Sequence, residues 1–412
     1  MKILLINNFF SKVGGAENST NRTGKILRDK GHEVYFFSTD KKPYFEENYE
    51  YAKYFPKYID FSDLPKSNFL RFIFNPSYFY NFEAEYKLNH YLNDVKPDVV
   101  HCNCITYYLS PSVIRACHKN NIPIVMTLRD AFMSCPDVGL IYKSENYCKD
   151  THCATGNPLP CILNKCNDKS LLKSCVSATE FALRKIHRLF DKVSMFICPS
   201  NALLELAVRS GIPREKLILI NNFLDDSYFN IQPEYKDGEY FLYAGRLVKE
   251  KGVYHLLDAM AKLPDIKLHI AGNGLEEDNL KKQADKLNLH NVKFLGFKSG
   301  QELENEYKNS IASILPSNYF EAFGLTIIES FAYGKPVIAS DIGAIPEIIE
   351  NDKNGLLFEP GNANSIANAI KKLHSNNGLI HKMGHNGRLK AETLYTPEVY
   401  YLKLIDVYRS LT

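Results

Sequence analysis

The chain has 412 residues, enough for about two domains with full cores. Its content, 45% hydrophobic and 24% charged, is that of an ordinary globular protein. With 50 basic and 47 acidic residues the net charge is only +3, which makes no strong electrostatic case for nucleic-acid binding. The opening stretch Met1-Lys-Ile-Leu-Leu-Ile-Asn-Asn8 holds too short an apolar run for a signal peptide and is expected to form a first buried strand. No apolar run reaches the ~18 residues of a membrane span, so the expected location is the cytoplasm.

In the first half, strand-like runs alternate with helical stretches, the pattern of a parallel sheet covered on both faces. The runs are Lys2–Ile6, Glu33–Ser38, Asp98–His101, Pro123–Thr127 and Met195–Cys198. Between the first two, Gly14-Gly15-Ala-Glu17 leads into a helix that stops at Gly31. Such a turn either binds a phosphate or sugar or is a tight connection. Its spacing is not G-x-G-x-x-G, which disfavours a dinucleotide enzyme, and no G-x4-G-K-[ST] loop exists. Residues 44–91 carry 17 of the 51 aromatic residues, as in Phe72-Ile-Phe-Asn-Pro-Ser-Tyr-Phe-Tyr80. They read as a helix pair packed by aromatics over the sheet, or as an acceptor platform whose rings stack on sugars or lie against a lipid surface.

Thr127-Leu-Arg-Asp130 follows a buried strand, where strand ends deliver residues to a cleft. On a strand, neighbours point to opposite faces, so Arg129 and Asp130 are expected to divide between cleft and core, with Arg129 on the cleft side. His101 is a candidate on the same side but reads first as a core histidine. Cys135, Cys148, Cys153, Cys161, Cys166 and Cys175 then crowd a connection of roughly 35 residues with little periodicity. The pairs Cys148/Cys153 and Cys161/Cys166 fit free thiols, a structural zinc or disulfides, the last suiting a reducing compartment badly.

A second alternation follows, with strands at Tyr240–Ala244, Lys267–Ala271, Val292–Leu295, Ile311–Leu315, Val337–Ser340 and Gly355–Phe358. Two successive Rossmann-like halves imply an α/β protein of two lobes, residues 1–198 and 199–394, facing across a cleft. Gly245-Arg246-Leu-Val-Lys-Glu-Lys251-Gly252 opens the second lobe, and its Arg246 and Lys251 suit a diphosphate. Near the end, Glu321-Ala-Phe-Gly-Leu-Thr-Ile-Ile-Glu329 predicts a helix starting near Gly324, ended by Gly334 and Pro336. The N–H groups of Phe323, Gly324 and Leu325 would form an anion site at its start. Two carboxylates beside an anion site are better placed for hydroxyl groups, and phosphates flanked by polyols describe a nucleotide-sugar.

This last string resembles the E-x7-E signature of glycosyltransferase family 4, the retaining enzymes of GT-B fold. The G-R-L-x-x-x-K-G loop, Ala271-Gly-Asn-Gly274 and Leu295-Gly-Phe297 are further matches in the right order, covering essentially the whole second lobe. The first lobe matches only loosely, and Arg129 stands where many members carry the histidine of a His-Asp pair. The resemblance implies transfer of a hexose-type sugar, with retention, from a UDP- or GDP-sugar to a glycan or lipid-linked acceptor in surface polysaccharide assembly, with no obligatory metal. It implies that Arg246, Lys251 and the helix start stabilise the diphosphate, that Glu321 holds donor-sugar hydroxyls and Glu329 the ribose, and that Asn273 and Phe297 line the donor site, the base lying against Gly296 to Gln301. Gly14, Gly15, His101, Arg129 and Asp130 fall on the acceptor side, and residues 395–412 return to the first lobe as a final helix. A peripheral contact with the inner membrane surface is a further expectation from the family. The rival readings are a GT-B epimerase or phosphorylase and a non-catalytic nucleotide-sugar-binding partner subunit.

Overall fold

The computed structural model describes residues 1–11, 14–59, 79–142, 146–148, 152–233, 235 and 238–412. The chain forms two compact units, one of Met1–Ser144, Cys148–Ile220 and Tyr401–Thr412, the other of Glu145–Tyr147 and Asn221–Tyr400. Among the described residues, no helix is long and apolar enough to cross a membrane.

The first unit is built on a parallel sheet of β1 (Lys2–Ile6), β2 (Glu33–Phe37), β3 (Val99–Cys102), β4 (Ile124–Thr127), β7 (Met195–Cys198) and β8 (Leu217–Leu219), in the order β2-β1-β3-β4-β7-β8. The two-residue strands β5 (Ile141–Tyr142) and β6 (Asn146–Tyr147) lie outside this sheet. The central strand β1 is flanked on both edges, with Leu4 opposite Tyr35 and Val100, and its Ile3, Leu4, Leu5 and Ile6 are fully buried. A continuous apolar run is what a strand covered on both faces requires. The helix Gly15–Asp29 lies so close to β2 that a Cβ on Gly24 would stand 2.5 Å from the Phe36 ring.

The first unit runs past residue 198, the expected boundary, because Leu217–Leu219 pair with β7 as a sixth parallel strand. Three residues are too few for hydrophobic periodicity to mark. The cysteine-rich connection is also more regular than expected. Its far end is the helix Leu171–His187, started by Ser170, whose side chain accepts from the Lys173 N–H. All ten cysteines are unbridged thiols, and among the described residues no three histidine, cysteine or carboxylate side chains gather as a metal site. Cys148, Cys153, Cys161 and Cys166 lie near enough for their thiols to influence one another.

Part of the aromatic-rich stretch, residues 60–78, lies outside the described residues. The flanking rings form a core against β2: Tyr54 stacks on the buried Tyr91 at 5.0 Å, and the Tyr49 hydroxyl meets that of Tyr91 at 2.8 Å. The final helix, Pro397–Arg409, carries Tyr401–Thr412 into the same unit. Its Tyr408 hydroxyl reaches Nδ1 of His101 at 2.6 Å, and Nε2 of that ring meets Thr127 Oγ1 at 2.7 Å. His101 is thus a core histidine with both nitrogens engaged, not an acceptor-side group.

The second unit repeats the plan with β9 (Tyr240–Ala244), β10 (Leu268–Ala271), β11 (Val292–Gly296), β12 (Ser310–Leu315), β13 (Val337–Ser340) and β14 (Gly355–Phe358), in the order β11-β10-β9-β12-β13-β14. Asn362 starts the helix Ala363–His374 by accepting from the N–H groups of Asn364 and Ser365. The long helix Asn377–Leu394 was not apparent from the sequence and closes against the first turn after the signature helix. There Gly384 approaches so near that a Cβ would stand 2.1 Å from the Gly334 carbonyl oxygen.

Tyr408→Phe should lower the unfolding free energy by about 1–3 kcal/mol, because it leaves a buried ring nitrogen without its partner. Burial, aided by the Arg129 charge, lowers the His101 pKa from 6.5 to about 3, so the folded ring stays neutral. The unfolded ring binds a proton first, and the protein should lose stability as pH falls from about 6.5 toward 3. Urea titrations across that pH range check both expectations.

Candidate functional site

In the second unit, three strand-end loops are joined backbone to backbone. Gly245 N–H donates to the Ala271 carbonyl at 3.0 Å, Leu247 N–H to Asn273 at 2.8 Å, and Gly272 N–H to Gly296 at 2.8 Å. Here the glycines of Ala271-Gly-Asn-Gly274 have a steric cause. A Cβ on Gly272 would stand 1.8 Å from the Gly245 oxygen, and one on Gly274 2.3 Å from the Leu247 oxygen.

This junction forms one wall of a cavity of about 220 Å³, lined by Arg246, Asn273, Phe297, Tyr307, Thr326 and Glu329 among others. Arg246 is exposed, and the Phe297 ring, 67% exposed, is bare for its size. The opposite wall is the helix Leu325–Ala332, which starts after Gly324 at φ +107°. The helix ends in a pair of turn bonds, Gly334 N–H to Phe331 and Lys335 N–H to Ser330, with Gly334 at φ +70°. Buried Arg388 donates to the carbonyls of Ala332, Tyr228 and Phe229, so a guanidinium sits at the negative end of the helix dipole. Glu329 lies in the second turn, and its Oε2 accepts from the Tyr307 hydroxyl at 3.3 Å. Tyr307 in turn stacks on Tyr333 at 5.0 Å.

Lys251 and Glu321 do not line this cavity; they bind each other. The Lys251 Nζ donates to Glu321 Oε1 at 2.6 Å and to the Tyr319 hydroxyl at 3.0 Å. Ser317 donates to the same Oε1 at 2.5 Å, and Tyr319 to Oε2 at 3.2 Å. Burial alone would raise the Glu321 pKa, but Lys251, Ser317 and Tyr319 together hold it below the usual carboxylate value. Burial likewise disfavours the Lys251 ammonium, and Glu321 and Tyr319 reverse the balance. Three acceptances leave the carboxylate about one lone pair, and two donations leave the ammonium one N–H. Lys251 is therefore not an exposed loop lysine, and Glu321 is not an open carboxylate. Tyr319 and Ser317 were not anticipated, although both stand within four residues of Glu321.

Phe323 also departs from expectation. Its side chain is buried edge-on against Tyr395 at 5.7 Å, so only its backbone is left for a ligand. Leu325 is half-buried and packs on the same core.

In the first unit the strand ends gather polar groups. Both Nε and Nη2 of Arg129 donate to Asn103 Oδ1, at 3.1 and 2.7 Å. Asp130 turns to its own chain, accepting from the Phe132 N–H at 2.9 Å, and burial raises its pKa. Glu17, absent from the expected site, has its carboxyl pKa raised by burial against the opposing influence of its backbone, Asn7 and Arg129. Gly14 adopts φ +114°, a backbone conformation that favours glycine, whereas Gly15 faces open space.

Lys251→Ala would leave Glu321 buried without its counter-charge and should destabilise the second unit by about 3–5 kcal/mol. A paired Lys251→Met, Glu321→Gln variant should recover most of that loss. The pair's contribution should be complete above the ordinary carboxylate pKa of 4.5 and fade as pH falls below it. Urea unfolding of the three proteins at neutral and acid pH measures all three effects.

Residues 13–228 match the model of Glycosyltransferase Family 4, and residues 225–390 that of Glycosyl transferases group 1. An uncharacterised glycosyltransferase of Methanocaldococcus jannaschii is 30% identical over 214 residues, 48% of this chain and 55% of the relative. The capsular polysaccharide biosynthesis glycosyltransferase CapM of Staphylococcus aureus is 29% identical over 206 residues, 49% of this chain and 53% of the relative. The chain thus spans about half the length of the curated relatives it matches. The structure of Anabaena HepE in complex with UDP-glucose aligns over 100% of both chains with a TM-score of 0.69 at 19% identity, a likeness of fold. Two parallel six-stranded α/β units of this order are the GT-B fold, and the chain belongs to Glycosyltransferase Family 4.

Proposed function

We propose that this chain is a retaining hexosyltransferase that moves a sugar from a UDP- or GDP-sugar to a glycan or lipid-linked acceptor in surface polysaccharide assembly. The observation that carries the reading is the second-unit cavity, which sets an exposed guanidinium, a carboxylate and a bare aromatic ring around one space. Those three groups suit the three parts of a nucleotide: Arg246 the diphosphate, Glu329 the ribose hydroxyls and Phe297 the base. The relatives add support, since CapM is a capsular polysaccharide enzyme and HepE was crystallised with UDP-glucose.

In the reaction, the bond between the anomeric carbon and the diphosphate oxygen breaks with its electron pair going to the diphosphate. The acceptor oxygen bonds to the same face of that carbon and gives up its proton to the leaving phosphate. Catalysis is then charge stabilisation and positioning. Arg246, the remaining N–H of Lys251 and the backbone N–H groups of Phe323, Gly324 and Leu325 bear on the diphosphate. Glu321 holds Lys251 in place and has one lone pair for a sugar hydroxyl. On the acceptor side, Arg129 acts as a fixed positive charge, because a guanidinium with pKa above ~12 cannot exchange a proton as histidine does.

Thermal-shift titration with UDP- and GDP-sugars should raise the unfolding temperature, and NMR of the product should show the donor's anomeric configuration retained. Arg246→Ala should lower transfer by ~10²–10³, the scale for removing one preorganised donor, with the fold intact. Arg129→Lys should keep part of the activity and Arg129→Ala lose most of it while still binding nucleotide. Donor binding with neither hydrolysis nor transfer would reassign the chain as a nucleotide-sugar-binding subunit. Unchanged turnover in Arg246→Ala would remove the donor assignment.

A further inference from the structure

One cavity in the first unit is not the one the reaction calls for. About 430 Å³ in volume, it is lined mainly by residues that precede β7 and β8, at the amino-terminal ends of those strands, with Met133 contributed by the segment after β4. Arg129 and Asp130 follow the carboxyl end of β4, at the other end of the same parallel sheet. A pocket of this size is within the range that encloses an organic ligand.

Its lining has two parts. Phe181, Phe190, Phe196 and Ile212 supply apolar wall, while Arg184, Lys185, Arg188 and Lys216 bring four cations against the single carboxylate of Asp191. Several of these cations are fixed in place. Arg184 is buried, bound to Glu180 and to the Phe132 carbonyl, and lies over the Phe132 and Phe181 rings at 5.3 and 5.4 Å. Its buried Nε has no acceptor among the described residues. Lys185 lies over Phe181 at 5.6 Å and donates to the Ser210 carbonyl at 2.6 Å. Lys216 donates to the Asp191 and Val193 carbonyls at 2.8 and 2.9 Å.

Arg184 and Arg188 have counter-charges, Glu180 and Asp191, the latter at 2.6 Å, whereas Lys185 and Lys216 donate to backbone carbonyls. Burial and the neighbouring Arg184 already lower the Lys185 pKa, a cost to holding its charge there. Unfavourable electrostatics concentrated in a concave, partly apolar pocket mark ligand sites, where an anion removes the repulsion. A simple surface patch for counter-ions would not need the aromatic wall.

We propose that this cavity binds a phosphate group carried on an apolar chain, the phosphate between Lys185, Arg188 and Lys216 and the chain against Phe181, Phe190 and Ile212. The site is separate from the donor cavity and does not depend on the proposed transferase activity. Such a ligand reaches the protein either as a soluble amphiphile or as a lipid in a bilayer.

The test is calorimetric titration of the full-length protein with octyl phosphate, octanol and inorganic phosphate, and sedimentation with vesicles of phosphatidic acid or of phosphatidylcholine. Octyl phosphate should bind at one site, at least about tenfold tighter than octanol or phosphate alone. Lys185→Met and Arg188→Gln should each weaken it by about tenfold or more, the scale of one charge-assisted hydrogen bond. Both variants should keep the wild-type far-UV spectrum and donor-induced thermal shift. Co-sedimentation with phosphatidic acid vesicles alone, lost in the same variants, would assign the bilayer source. Octyl phosphate binding without co-sedimentation would assign the soluble one. Equal affinity for octanol, equal affinity for free phosphate, absence of octyl phosphate binding, or binding indifferent to both substitutions would overturn the proposal.

Discussion

The second unit of this protein depends on one buried ion pair, Lys251 with Glu321. Its two partners come from loops 70 residues apart in the chain, so it ties the loop after β9 to the segment before the signature helix. Ser317 and Tyr319 complete the carboxylate's partners, which is the condition under which a buried pair holds a structure rather than weakening it. The backbone around Glu321 is equally constrained. Its carbonyl accepts from Ala344 N–H at 2.8 Å, and a Cβ on Gly343 would stand 2.7 Å from its nitrogen. With Glu321 pinned from both sides, the start of the next helix has little freedom, and the orientation of its N–H groups is set before any ligand arrives. Preorganisation of that kind is what charge stabilisation in catalysis requires.

The same helix is held at its other end by Arg388, whose guanidinium binds three carbonyls. Both termini are therefore anchored by charged groups that are themselves buried, and Glu329, between them, is presented to the cavity at a fixed height. Facing it, the glycines of the β10 loop allow two backbones to touch, which brings Arg246 and Asn273 to one wall. Side chains in that junction would push the loops apart. The cavity is thus a product of backbone packing, and Lys251 and Glu321 support it without lining it.

In the first unit the polar groups at the strand ends are arranged around Asn103, which receives both donors of Arg129. A fork-shaped guanidinium held at two points is a stiff group, suited to positioning and unsuited to proton transfer. His101 sits one layer deeper, neutral and locked between Thr127 and Tyr408. The final helix thereby completes the core beneath the strand ends, which ties the last residues of the chain to the rigidity of that region.

Periodicity and turn residues determined much of this protein from its sequence. Continuous apolar runs marked eleven of the parallel strands, because strands buried on both faces need them. Glycine and proline marked the ends of the signature helix, because Gly334 alone tolerates the left-handed turn there. The glycine-rich loops and the Glu321 to Glu329 string placed the cavity residues on their strand and helix ends. Only the tertiary structure decided what those residues touch. That Lys251 is paired with Glu321, that Phe323 is core, and that His101 is capped by Tyr408 all depend on partners between 70 and 307 residues away. The short strand β8 was hidden for a related reason, since three residues carry no period and gain their identity from pairing with β7. The cationic cavity, assembled from a helix end and two turns, has no contiguous motif, because long-range packing brings its charges together.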